Sequence, residues 1–283
     1  MTPFGPVVNP EWLREHMDDP DLRVVDFRWS LLGGKGLDAY ERGHVPGAVF
    51  VDLQAVTGGD EGVGRHPLPT GAQFEEEMRK AGISSDTKVV AYDDAGGSIA
   101  SRLWFLLGWF GHDVQAILDG GIGAWGEPLA TDVPAVARGD FRSRETDRSR
   151  ILDFDAVRKL AGVALLDARA GERYRGEKEP VDPKAGHIPG ALSAPWTENL
   201  GPDGRFKSPE QLRKRFAGLG VDGDNGAVVY CGSGVTATHD LLAMELAGLA
   251  NGRLYAGSWS DWSNRDAPIA TGIGAEQGLT IPP

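Results

Sequence analysis

The chain repeats itself. Val24-Val25-Asp26-Phe27-Arg28 returns as Leu165-Leu166-Asp167-Ala168-Arg169, and Gly43-His44-Val45-Pro46-Gly47-Ala48 returns as Gly186-His187-Ile188-Pro189-Gly190-Ala191. Further along, the stretch Val89 to Gly97 matches Gly226 to Gly234, which sets Asp94 against Cys231, and Leu118 to Trp125 matches Leu254 to Trp262. Four ordered matches offset by about 140 residues mark a duplication, and a repeat of that length is a domain, not one turn of a solenoid. The 283 residues suffice for two such domains, each with its own core. The expected layout is a first domain over 1–130, a linker over 131–150 and a second domain over 151–283. Pro134, Gly139 and the arginines 138, 142, 144, 148 and 150 make the linker read as a solvated segment.

Within each half, short apolar runs alternate with helical patterns, the mark of an α/β layer with a mostly parallel central sheet flanked by helices. Thr70 stands three residues before Gln73, and Ser208-Pro209-Glu210-Gln211 puts serine at a cap position with proline in the first turn, so both mark helix starts. After Cys231, Leu242, Leu246 and Leu249 recur at helical spacing; the same periodicity turns His239 and Glu245 toward solvent. In such a layer a ligand sits outside the carboxyl ends of the strands, and Cys231 falls there.

Composition narrows the partners. A net charge of −12 disfavours nucleic acid and anionic membrane, and an anionic substrate needs a local cluster of arginines against that field. The first residues carry no basic-then-apolar leader, and no apolar run approaches the roughly 18 residues of a membrane span. With one cysteine no internal disulfide is possible, which suits a reducing, cytoplasmic setting. Six dispersed histidines and one cysteine give no metal-ligand spacing.

That cysteine sits in Ala227-Val228-Val229-Tyr230-Cys231-Gly232-Ser233-Gly234-Val235-Thr236-Ala237, where an apolar run ends and a helix begins. A lone cysteine is most often an inert core residue. Gly232 and Gly234 argue otherwise, because glycine at such positions frees the backbone to turn round a ligand or an anion. Backbone N–H groups of Gly232, Ser233, Gly234, Val235 and Thr236, together with the helix N-terminus, are placed to steady a thiolate. A cysteine phosphatase would need an arginine six positions on, and position 237 is alanine.

On these motifs the chain resembles the tandem-domain sulfurtransferases of the rhodanese superfamily, from Val24 to Trp262. The resemblance implies a catalytically silent N-terminal domain with Asp94 at the cysteine position, and an active C-terminal domain with Cys231. Its loop, Cys231-Gly232-Ser233-Gly234-Val235-Thr236, is similar to that of mercaptopyruvate-specific members, whereas thiosulfate-preferring members carry arginine and lysine at the positions of Gly232 and Ser233. It implies a persulfide on Cys231, a small-molecule sulfur donor, cyanide, a small thiol or a thioredoxin-like protein as acceptor, and no metal or organic cofactor. Family roles carry over to Ser233 and His66 as a proton relay and to Arg173 as a grip on the donor carboxylate. The relay's usual acid aligns with Gln54, for which Asp52, Asp60 or Glu61 could substitute. The family's second arginine aligns with Val181; Arg65, beside His66, is the expected replacement, ahead of Lys184. Duplicated Asp26, Arg28, His44, Asp167, Arg169 and His187 are expected to be scaffold, since both halves have them and only one has a thiol.

Overall fold

The computed structural model describes residues 5–58, 64–144, 147–221, 223–249 and 251–273. They form two compact units, one built from 5–58, 68–144 and 202–206, the other from 64–67, 147–201 and 207–273. In the first unit β1 (Val7–Val8), β2 (Leu22–Asp26), β3 (Val49–Phe50), β4 (Lys88–Tyr92) and β5 (Gln115–Leu118) make an all-parallel sheet in the order β1-β5-β4-β2-β3. In the second, β6 (Ile151–Leu152), β7 (Ala164–Asp167), β8 (Leu192–Ser193), β9 (Ala227–Tyr230) and β10 (Gly252–Tyr255) repeat it as β6-β10-β9-β7-β8. The central strands β4, after Lys88, and β9 are apolar and buried because helices cover both faces of a parallel sheet. The caps fall where the sequence puts them: Thr70 accepts from the Gln73 amide, and Ser208 and Gln211 exchange side-chain and backbone hydrogen bonds in a capping box.

The duplicated residues do the same work twice. Arg28 forks onto Asp26 and donates Nη2 to the carbonyl of Gly43 at 2.8 Å; Arg169 forks onto Asp167 and donates Nη2 to the carbonyl of Gly186 at 2.6 Å. His44 stacks on Tyr40 and hydrogen-bonds its carbonyl, as His187 does with Tyr174. Each pair ties the end of a strand to the Gly-His-x-Pro-Gly-Ala turn, and each arginine is held charged by its buried carboxylate partner.

Three expectations are revised. The segment 131–144 is not a solvated linker but part of the first unit: Phe141 is buried edge-on against Phe74, Gly139 and Phe141 donate to the carbonyls of Arg79 and Ile83, and Arg138 and Arg144 pair with Glu76 and Asp113. Segment 64–67, early in the sequence, folds with the second unit. The residue equivalent to Cys231 is Asp93, not Asp94, because Asp26 pairs with Tyr92 across β2 and β4 just as Asp167 pairs with Tyr230 across β7 and β9. The first-unit loop runs one residue longer before its helix, which starts at Ala100 against Ala237, so matching the two loops by their glycines slips the strands by one.

Asp93 fills the loop it begins. Its Oδ1 accepts from the amides of Ala95 and Gly97 at 2.9 and 2.8 Å, and its Oδ2 from those of Ile99 and Ala100 at 2.7 and 2.8 Å. The cradle that a strand-loop-helix turn offers to an anion is thus occupied, in the first unit, by a carboxylate of the same chain.

Candidate active site

In the second unit β9 delivers Cys231 to the start of the loop, almost wholly buried, and the helix Ala237–Leu246 follows. Of the amides expected to face the sulfur, that of Gly234 reaches Sγ, at 3.2 Å. Gly234 has φ +76°, and a Cβ there would stand 2.5 Å from the carbonyl oxygen of Ala256, so no other residue fits without moving the loop. The loop backbone is pinned from outside: Cys231 N–H donates to Ser258 Oγ at 3.1 Å, while the amides of Trp259 and Ser260 donate to the carbonyls of Cys231 and Gly232 at 2.9 Å each. Ser258 is the one non-glycine residue with positive φ among those described, at +54°; its hydroxyl accepts from the Cys231 amide and donates to the Tyr255 carbonyl at 2.9 Å. Nothing in the sequence pattern marked Ser258.

Ser233 and His66 come together. Ser233 Oγ lies 2.7 Å from His66 Nδ1, and both side chains are buried. The segment carrying His66 is seated on the second unit by the Arg65 amide, which donates to Ser260 Oγ at 3.1 Å, and by Gly64, at φ +83°, where a Cβ would fall 2.5 Å from the Gly257 carbonyl oxygen. Gln54 lies on the short turn Leu53–Val56 of the first unit, where Asp52 caps the Gln54 amide. Asp60 and Glu61 lie outside the described residues.

The two arginines converge on Gly232. An ideal Cβ there would be 3.1 Å from Arg65 Nη2 and 3.5 Å from Arg173 Nη1. Behind them stand two carboxylates, Asp182 and Glu179, that no sequence pattern marks. Asp182 bonds Arg65 Nη1 through Oδ1 and Arg173 Nη2 through Oδ2, the latter at 3.2 Å. Glu179 bonds Arg173 Nη2 at 2.6 Å and Arg169 Nη1 at 3.2 Å. Burial works against the Glu179 carboxylate, but the Arg173 bond and the amides of Asp182 and Val181 hold its pKa below the ordinary value; Asp182 has fewer such bonds, and burial pushes it up. Lys184 is elsewhere, donating to the carbonyl of Arg265. Two guanidiniums therefore flank Gly232, where the loop itself carries no charged side chain, and the carboxylates behind them balance their charge.

Beneath the loop the helix Ala237–Leu246 differs from expectation. His239 is buried, 3.0 Å from Asn199 and edge-on to Trp196, because this helix is covered on nearly every side and has no solvent face there. Beside it Asp240 accepts from Asn199 at 2.6 Å, has Arg215 only at 3.8 Å, and leaves Oδ2 without a partner among the described residues. Burial pushes the Asp240 carboxyl up to about 7, against the weaker pull of Arg215 and Asn199. The folded chain therefore holds this proton more tightly than the unfolded chain does. The resulting stability is full below the ordinary carboxylate pKa, falls as pH rises toward 7, and stays lost above it. Asp240→Asn removes that dependence. Thermal melts should show the variant gaining on the wild type by about 2 kcal/mol between pH 5 and pH 8; an unchanged difference would mean Asp240 is ionised in the fold.

Two parallel α/β units of identical strand order, one with a sulfur and the other with a carboxylate at the head of a main-chain cradle, define a duplicated fold with a single thiol centre. Residues 9–128 and 153–265 match the Rhodanese-like domain, and the chain belongs to the rhodanese family. It is 45% identical over 280 residues to "Probable 3-mercaptopyruvate sulfurtransferase" of Pseudomonas aeruginosa, covering 94% of this chain and 98% of that one. It is 40% identical over 254 residues to SseB of Mycobacterium tuberculosis strain H37Rv, provisionally named a thiosulfate sulfurtransferase, covering 87% and 89%. The crystal structure of SseA from Escherichia coli, described as a 3-mercaptopyruvate sulfotransferase, matches with a TM-score of 0.80 at 32% identity, over 90% of this chain and 99% of that one. No helix among the described residues is long and apolar enough to cross a membrane.

Proposed function

We propose that the protein moves sulfur from 3-mercaptopyruvate to a thiol or cyanide acceptor through a persulfide on Cys231. Arg65 and Arg173 take the donor carboxylate at Gly232 and bring its thiol to Cys231. The Cys231 thiolate attacks that sulfur; the carbon–sulfur bond breaks, and its electron pair leaves on the enolate of pyruvate. The donor's thiol proton ends on that carbon, and Ser233 and His66 carry it. The persulfide anion then rests on the Gly234 amide and at the helix N-terminus, with Val235 and Thr236 completing the turn. An acceptor thiolate takes the outer sulfur and returns Cys231 as thiolate. A small thiol, cyanide or a thioredoxin-like protein fits this step, and an unpaired thiol suits the reducing cytoplasm.

The observation that carries the reading is the Ser233–His66 hydrogen bond two positions from the nucleophile. Thiosulfate leaves as sulfite and needs no proton delivered to carbon, whereas mercaptopyruvate does. The name given to the Mycobacterium tuberculosis relative favours thiosulfate as a second reading. Intact mass after mixing with 3-mercaptopyruvate should show one added sulfur on Cys231 and an equivalent of pyruvate, and kcat/KM for mercaptopyruvate should exceed that for thiosulfate. Loading by thiosulfate alone would overturn the donor assignment; loading by neither would leave a partner-binding module.

A further inference from the structure

Asp182 has no part in the mechanism above, yet it is buried between both donor-site arginines. Its two oxygens engage Nη1 of Arg65 and Nη2 of Arg173, and the nitrogens nearest Gly232 are Nη2 of Arg65 and Nη1 of Arg173, with Nη2 of Arg173 slightly farther away. One carboxylate thus aims two guanidiniums at one point. It also sets their charge. Arg65, Arg169 and Arg173 are joined to Asp167, Asp182 and Glu179 in one connected group, so three cations meet three anions.

We propose that Asp182 is a positioning and specificity-determining residue that restricts the donor site to a single carboxylate: it orients Arg65 and Arg173 for a monoanion and withholds the net positive charge that a dianion such as thiosulfate requires. This rests on the reading of Arg65 and Arg173 as the donor's carboxylate grip. An ion of charge −2 entering a group of partly buried side chains whose charges balance gives up water without a compensating excess of positive charge, and it suffers twice the repulsion from Asp182. A monoanion of matching shape needs only the two hydrogen-bonding ends already turned toward it.

Two variants separate the two roles. Asp182→Asn removes the charge and loosens the aim: KM for mercaptopyruvate should rise about tenfold with kcat little changed, while kcat/KM for thiosulfate should rise about tenfold. Asp182→Glu keeps the charge and shifts the aim, so KM for mercaptopyruvate should rise while thiosulfate stays at its wild-type value. Thermal melts identify folded protein, and if the asparagine variant does not fold, the glutamate variant still decides the positioning role by the split between KM and kcat. A thiosulfate kcat/KM that does not rise in Asp182→Asn, or that rises equally in Asp182→Glu, overturns the charge role. Unchanged KM for mercaptopyruvate in both overturns the positioning role. Failure of the donor reading itself shows separately, as wild-type protein that mercaptopyruvate does not load, and the thiosulfate comparison still tests Asp182.

Discussion

Gly234→Ala should remove nearly all sulfur transfer although Cys231 is untouched. The alanine must take φ +76°, which costs about 1–2 kcal/mol for a residue with a Cβ, and its methyl would lie 2.5 Å from a main-chain oxygen that cannot turn aside. Relief requires the loop to shift, and the shift carries off the amide that reaches Sγ. Loss of one preorganised donor to a developing anion costs on the order of 10²-fold in rate. We expect kcat/KM to fall by about that factor or more, with a parallel fall in the rate of Cys231 alkylation, against a Cys231→Ser blank that accepts no sulfur. Alkylation and turnover within threefold of wild type would show that the sulfur does not depend on this amide.

The second large effect concerns the unit without a thiol. Asp93→Ala deletes the acceptor of four main-chain N–H groups at once and leaves them pointing into a space their own loop encloses. An unsatisfied buried donor costs about 1–3 kcal/mol, and hydrogen bonds to a charged group are the stronger kind, so a loss of roughly 3–5 kcal/mol is expected. Asp93→Asn should fall between, since an amide keeps one acceptor oxygen and turns donors toward donors. Urea unfolding of the three proteins checks the order. A loss below about 1 kcal/mol in the alanine variant would mean that water or loop movement satisfies the amides without the carboxylate.

Much of this was legible in the residues alone. Paired motifs foretold two parallel sheets, because the Asp-x-Arg and Gly-His-x-Pro-Gly-Ala segments mark a strand end and the turn it ties down. Ser233 and His66 were brought together only by the family resemblance, since they are far apart in sequence. What stayed hidden depended on side-chain reach and on loop length. Asp182 and Glu179 look like surface acids until Arg65 and Arg173 fold over them. Phe141 is one aromatic in a polar stretch, with no period to betray its burial. His239 is buried although periodicity points it to solvent, because the helix that carries it is covered on nearly all sides. Asp93 hides behind Asp94 in the sequence because loop glycines align more readily than strands whose register only hydrogen bonds fix.

The placement of Gly64 to Pro67 with the later unit bears on how such a protein can be taken apart. A fragment starting at the second repeat would keep Cys231 and lose Arg65 and His66, so the residues proposed to act with the thiol do not all travel with the duplicated module that houses it. The two halves repeat one another in sequence, but a short stretch of the first is built into the fold of the second.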